Sequence, residues 1–194
     1  MGSSWAADED ERERFVALAR QLQGLCVNRV RYFDIDYRRD DFAPGHTGPR
    51  EITDEREWAE PTYEFPGGHT LDYGLEVGNG AGDSWSLVWV PPGWTEGLAL
   101  HHEAMFPEVL SADGSIAVWD VSARSPWRRL LGRPVERVDV HYEPWDEATG
   151  SWWCRRIDFI IAGTTIEVLE AEGRPDGTIE PSADNLVLRV SEGP

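Results

Sequence analysis

The sequence predicts an α+β fold that is mainly antiparallel β, with two tandem αββββ-like units packed as one domain. Three observations predict it. Short segments rich in β-branched and aromatic residues are separated by glycine and proline turns, helical patterns precede them at two places, and the segments recur in a similar order. The chain has 194 residues, of which 40% are hydrophobic, so a single domain over 1–194 is expected.

A helix is predicted over Ala7–Gln23, because apolar residues from Phe15 to Leu22 recur at helical spacing. Carboxylates in its first turn complement the helix dipole, and Gly24 is a natural stop. The following segment, Leu25–Tyr37, is rich in β-branched and aromatic residues and is predicted to be a strand.

The polar segment Arg38–His69 predicts a long loop with one short helical turn near Asp54–Trp58. Two strands are predicted next, Leu71–Val77 and Ser84–Val90, in which apolar and polar residues alternate. The glycines of Gly78–Ser84 suggest a phosphate-cradling loop, but such a loop needs a helix after it. A strand follows instead, so a β-hairpin is predicted.

Turn residues separate the remaining elements of the first half. The strand Ser84–Val90 ends at Pro-Pro-Gly, and residues 91–115 are a loosely patterned insertion before the predicted strand Ile116–Val121. A short helix is predicted over Ser125–Gly132, since Ser is a favoured N-cap, Pro a favoured first-turn residue and Gly a favoured stop.

Two units are predicted because four blocks of the chain match four later blocks in the same order. The first unit spans about residues 8–122, with insertions at 38–69 and 91–115, and the second spans about 125–191. A lone four-stranded sheet leaves an apolar face and open edges, which two units cover for each other. The matched blocks are Leu22–Tyr32 with Leu130–Val140, Leu71–Leu75 with Ile157–Ile161, Ser84–Val90 with Thr165–Ala171, and Ala117–Ser122 with Leu186–Ser191.

The charge balance limits the partners. The chain carries 36 carboxylates and 18 basic residues, all Arg, for a net charge of −18. This sign repels phosphate backbones and anionic lipids, so neither nucleic acid nor a membrane is expected as a partner. No apolar run approaches the roughly 20 residues that span a bilayer, and the start lacks a signal-peptide pattern, so a cytoplasmic location is predicted. Cys26 and Cys154 are predicted to be free thiols that are buried or half-buried.

Eleven carboxylates and five tryptophans occur between Arg56 and Arg124, with no Arg or Lys among them. This acidic window is either a solvated surface or a docking face for a basic protein. Exposed Trp side chains suit protein interfaces and also stack on sugar rings. The candidate binding residues are Trp58, Glu60, Glu64, Trp94, Glu96, Glu103, Asp34 and Asp36.

The sequence contains no catalytic motif, so no catalytic residue, metal ligand or cofactor is predicted. Asp34 and Asp36 resemble the carboxylate pair that holds Mg²⁺ or Mn²⁺ in sugar-nucleotide enzymes, and the alternative is a solvent-facing strand end. His101 and Glu103 share a strand face and would need a third ligand to form a metal site.

The last third of the chain, with LLGRPVERVDVHYEPWD and then EVLEAEGRPDG…DNLVLRV, resembles small bacterial proteins of the immunity-protein-like type. That resemblance implies a non-enzymatic binding protein of immunity or antitoxin type, which docks a basic partner such as a toxin through the acidic, Trp-rich surface. The alternative is a metal-dependent enzyme or a small-ligand (sugar) binder, with its site in the cleft between the two units. The sequence does not predict the oligomeric state.

Overall fold

The computed structural model describes residues 5–90, 97–105, 115–146, 148 and 150–192. Strands hold 51% of the residues and helices 15%, so the α+β class with mainly antiparallel β structure is confirmed. The described helices are α1 (Glu9–Arg20), α2 (Arg39–Phe42), α3 (Glu55–Ala59) and a 3-10 helix (Trp127–Arg129).

The strands fall into two sheets. The first half of the chain supplies β1 (Trp5–Ala6), β2 (Cys26–Val27), β3 (Arg29–Ile35), β4 (Arg50–Glu51), β5 (Glu64–Phe65), β6 (Gly68–Leu71), β7 (Gly74–Gly78), β8 (Ser84–Val90) and β9 (Gly97–His101). The second half supplies β10 (Ile116–Asp120), β11 (Arg133–Asp146), β12 (Ser151–Ile161), β13 (Thr164–Gly173) and β14 (Ile179–Glu192). Sheet A has the order β4-β10-β3-β7-β8-β9, and sheet B the order β2-β11-β12-β13-β14-β6-β5 with β1 also beside β12.

One apolar core joins the two sheets. Val30 and Leu87 from sheet A belong to the same buried cluster as Ile157 and Val168 from sheet B, and Phe15 of α1 joins them. Burying one such side chain stabilises a fold by about 1.5–3 kcal/mol. The alternating apolar residues of the strands thus supply one shared interior, as in packed-sheet proteins.

Several predicted elements are confirmed. Helix α1 lies inside the predicted range, and Asp8 caps it by accepting a hydrogen bond from the backbone N–H of Glu11. The short turn near residue 54 is α3, capped by Asp54. Gly78 pairs with Ser84 across the turn between β7 and β8, so the predicted hairpin is also confirmed.

The single strand predicted over Leu71–Val77 is wrong. Leu71 ends β6 and pairs with Leu186 in sheet B, whereas Gly74 begins β7 and pairs with Phe33 in sheet A. The chain crosses between the sheets at Asp72, whose backbone N–H donates to the Asp34 side chain instead of joining a ladder. Alternation of apolar and polar residues cannot reveal such a crossing, because the period is the same in both sheets.

The long loop predicted over Arg38–His69 also contains more structure than expected. Two helices and the short strands β4 and β5 interrupt it, and the first half of β6 lies within it. We call residues 36–67, which lead from β3 to β6, the connecting segment. The second insertion, 91–115, contains β9, and its remaining central parts, 91–96 and 106–114, lie outside the described residues.

The predicted equivalence of Ala117–Ser122 with Leu186–Ser191 is wrong. Strand β10 lies beside β3, the first strand of its proposed unit, whereas β14 lies beside β13, the third strand of the other. Val30 and Val138 are matched positions, but Val30 pairs with Val77 whereas Val138 pairs with Phe159. The two ladders are therefore not in the register that the match predicts. The remaining likeness between the halves is that consecutive strands pair with each other. Most β proteins share this feature without being duplicated, so the duplication stays a prediction.

Candidate functional site

The site that the structure builds around the predicted residues is centred on Asp34, near the end of β3. Its side chain is buried, with the residue 3% exposed. Oδ2 accepts a hydrogen bond from Thr62 Oγ1 at 2.7 Å, and Oδ1 accepts one from the Asp72 backbone N–H at 3.0 Å. The carboxyl group therefore ties sheet A to the connecting segment and to the crossover between the sheets.

A second carboxyl group, that of the half-buried Asp72, lies close to the first. Its Oδ2 accepts a hydrogen bond of 2.9 Å from the hydroxyl of Tyr37. Burial, and then the charge of Asp72, raise the pKa of Asp34 to about 7. Partial burial, and then the hydrogen bond to Asp72, raise the pKa of Tyr37 to about 12. We call Asp34, Thr62, Asp72 and Tyr37 the carboxyl-pair site.

The crossover of the chain holds Asp72 in place. Trp89 donates its indole N–H to the carbonyl oxygen of Asp72 at 2.8 Å. Two residues later, a Cβ atom on Gly74 would lie only 2.6 Å from the carbonyl oxygen of Leu87, so this position requires glycine. The backbone on both sides of the Asp72 side chain is thereby constrained next to Asp34.

Asp36 does not belong to this site. Arg50 lies between Asp36 and Glu57 and donates two hydrogen bonds of 2.5–2.8 Å to each of them. All three residues are buried, and the hydrogen bonds to Asp36 and then to Glu57 raise the pKa of Arg50. Asp34 and Asp36 therefore have different partners, and nowhere in the described residues do three His, Cys, Asp or Glu side chains come together as metal ligands.

Three of the four arginines of the connecting segment lie around the ring of Phe42. The guanidinium carbons of Arg38, Arg50 and Arg56 lie 5.5, 5.6 and 5.1 Å from the centre of the Phe42 ring. The segment contains four arginines in all and nine carboxylates, so its net charge is −5. The segment is therefore locally acidic away from the Phe42 ring.

Trp58 is part of a packed aromatic wall. Its ring meets that of Trp119 edge-on at 4.9 Å, and the guanidinium of Arg124 covers it at 4.8 Å. The side chain is half-buried against the core. The predicted binding residue therefore contributes to a wall of the surface, with one ring face already covered by Arg124.

A histidine lies behind this wall. Trp127 donates its indole N–H to the hydroxyl of Tyr32 at 2.6 Å, and the same hydroxyl lies 2.9 Å from Nδ1 of His69. Burial, and then the charge of Arg124, lower the pKa of His69 to about 4. His69 is thus neutral at pH 7 and helps to hold β6 against β3.

The remaining predicted residues are scattered. Glu60 is exposed and lies 3.7 Å from Arg38, and Glu64 lies 3.5 Å from Arg124. Glu103 is exposed after β9, 3.9 Å from His101. Trp94 and Glu96 lie outside the described residues. The structure thus brings Asp34, Trp58, Glu60 and Glu64 to the connecting segment and its neighbours, and leaves Glu103 on another strand.

Most of the described carboxylates of the acidic window lie close to an Arg or His side chain. Eight of its eleven carboxylates are among the described residues, and an Arg or His nitrogen lies within 4.0 Å of seven of them. The eighth is Asp72, which has Tyr37 and Asp34 beside it. The paired seven are Glu57, Glu60, Glu64, Glu76, Asp83, Glu103 and Asp120.

Sequence reasoning missed three members of the carboxyl-pair site. Asp72 was assigned to the polar face of a strand, and Thr62 to a loop. Tyr37 is the last residue of a predicted strand, and its 69% exposure is visible only in the structure.

None of the described helices is both long and apolar enough to cross a bilayer. Comparison of the chain with protein-family models, with curated proteins and with solved structures finds no match in any of the three.

Proposed function

We propose that the protein is a non-enzymatic binding protein, of immunity or antitoxin type, that docks a basic protein such as a toxin. The docking surface is the outer side of the connecting segment, with the carboxyl-pair site at its centre. We also propose a cytoplasmic location, which suits an exposed free thiol at Cys26 and a buried one at Cys154.

One observation carries the proposal: among the described carboxylates of the acidic window, Asp72 has no cationic partner, and it lies beside a second carboxyl group. Burial raises the pKa of Asp34, and the repulsion between the two neighbouring carboxylates raises it further. An Arg or Lys side chain from a partner relieves this repulsion, so the pair is a place where a cation binds with a gain in free energy.

The surroundings suit a guanidinium group. The ring of Tyr37 is 69% exposed and offers a face for a cation–π contact next to Asp72. The net charge of −5 on the connecting segment attracts a basic partner over a distance of about one Debye length, roughly 8–10 Å in physiological salt. Association is therefore expected to be fast at low salt and slower at high salt.

The test uses a short oligo-arginine peptide as the probe and isothermal titration at low and high salt. Asp72→Asn is expected to weaken binding by about tenfold or more, the usual effect of losing a charged hydrogen-bond partner. Asp83→Asn is the matched control, since it removes the same charge from a carboxylate that His102 already contacts at 2.7 Å.

Equal losses in the two variants would show that only net charge matters and would contradict the proposal. An affinity of the unaltered protein that does not change with salt would contradict it as well.

A further inference from the structure

Sheet B divides into two arms. Strand β12 begins at Ser151, but its pairing with β13 begins only at Arg156, which lies opposite Leu169. Along the same edge, nearer the start of β12, Trp152 and Trp153 pair with β1 instead. Beyond Leu169, β13 continues with β14 alone. We call the gap between the arm β11–β12–β1 and the arm β13–β14 the fork.

Both arms bend at the level of the fork. The ladder of β11 and β12 shifts register between His141 and Tyr142, and that of β13 and β14 shifts between Glu170 and Ala171. Bulges of this kind turn strands and re-aim side chains, and they occur often beside binding sites. Here they open a groove of about 410 Å³, a volume within the range of small-molecule sites.

The two walls of the groove differ in chemistry. His141, Arg155 and Arg156 line it from the first arm, and Leu169, Ile179 and Pro181 line it from the second. Two carboxylates also reach it, those of Glu143 and Glu170. Glu143 lies at the exposed rim, 3.4 Å from Arg155. The groove is therefore amphipathic, with its cations on one side.

A buried carboxylate orients His141 and Arg156. Asp158 is 7% exposed, and its two oxygens lie 2.7 Å from His141 Nε2 and 3.1 Å from Arg156 Nε. Nη2 of Arg156 lies 3.1 Å from the same His141 nitrogen. Nη1 of Arg156 makes no hydrogen bond within the described part of the chain, so it is available to a ligand in the groove.

We propose that the fork binds a small organic monocarboxylate with an apolar body. The carboxylate meets the guanidinium groups of Arg156 and Arg155, and the body rests on Leu169, Ile179 and Pro181. The net charge of −18 repels a ligand more strongly as its negative charge grows, which favours a monocarboxylate over a polyanion. This site lies on sheet B and does not depend on the carboxyl-pair site.

The experiment titrates phenylacetate into the protein and follows backbone amide shifts by NMR, with 2-phenylethanol as the neutral analogue. Phenylacetate is expected to bind at least about tenfold more tightly, because charged hydrogen bonds add that much affinity. Arg156→Gln should remove this advantage. Arg174→Gln, at the turn after β13 where Arg174 pairs with Glu172 and Glu180, is the control with the same change of charge and should leave it intact.

A second variant is needed because Arg156→Gln also removes a charged partner of the buried Asp158. Ile179→Asp keeps both arginines and places a negative charge on the half-buried apolar wall, so it too should weaken phenylacetate binding by about tenfold or more. The proposal is overturned if phenylacetate and 2-phenylethanol bind equally. It is also overturned if phenylacetate fails to bind at millimolar concentration, or if folded Ile179→Asp binds it as the unaltered protein does.

Discussion

Among the described residues, some buried ionisable side chains have an oppositely charged partner, and others do not. Arg50 is held between two buried carboxylates and donates hydrogen bonds to both, so each carboxylate has a cationic partner. Asp34 is equally buried but accepts its hydrogen bonds only from a neutral hydroxyl and a neutral amide. The contribution of Asp34 to stability therefore depends on pH.

Asp34→Asn is expected to change how stability varies with pH. Because folding raises the pKa of Asp34 to about 7, the folded state holds this proton more tightly than the unfolded state. The contribution is fully present below the ordinary pKa of 3.8 and is lost as pH rises to about 7, with a slope of at most about 1.4 kcal/mol per pH unit. Urea unfolding between pH 4 and about 8 should show this decline in the unaltered protein relative to Asp34→Asn.

The control for this comparison is Asp40→Asn, at an exposed carboxylate of α2, which should leave the pH profile unchanged. Parallel profiles for the unaltered protein and Asp34→Asn would mean that Asp34 titrates like an ordinary carboxylate.

Arg50→Met is expected to destabilise the protein by about 3 kcal/mol or more, because it leaves Asp36 and Glu57 buried without a cation. Arg56→Met, whose side chain is 77% exposed, is the matched control and should leave stability unchanged. Chemical denaturation of both variants at pH 7 checks the difference. A similar midpoint for the two would show that the buried charges are not balanced by Arg50.

At the scale of elements, local signals were predictable and crossings between sheets were not. Helix α1 and the β7–β8 hairpin follow from capping residues, helical spacing and glycine turns, which act within a few residues. The break after Leu71 does not, since it depends on the contact of Asp72 with Asp34, which lies 38 residues away. The position of β10 beside β3 is likewise a long-range pairing.

Asp8→Ala is expected to destabilise α1 by about 1 kcal/mol, because the Asp8 side chain accepts the hydrogen bond of the Glu11 backbone N–H at 2.9 Å. Asp10→Ala also removes a carboxylate from the first turn but no capping bond, so it should have a clearly smaller effect. Thermal unfolding of the two variants separates them. Equal shifts would assign the effect to the helix dipole and not to the cap.

At the scale of the whole molecule, the acidic composition is distributed in a way that the sequence does not reveal. The chain has twice as many carboxylates as arginines, yet arginines from outside the acidic window reach most of its described carboxylates. Among the described carboxylates of the window, Asp72 alone has no Arg or His nitrogen within 4.0 Å, and it lies beside Asp34 where the chain passes from one sheet to the other. Under the proposed function, this is the place where a basic partner would bind.

The most direct test of this account is the titration of the Asp34 carboxyl carbon by ¹³C NMR, without and with the oligo-arginine peptide. The account predicts a pKa of about 7 for the free protein and a clear decrease when the peptide is bound, because a cation favours the charged form. A pKa near 3.8 in the free protein, or one that the peptide does not change, would contradict it.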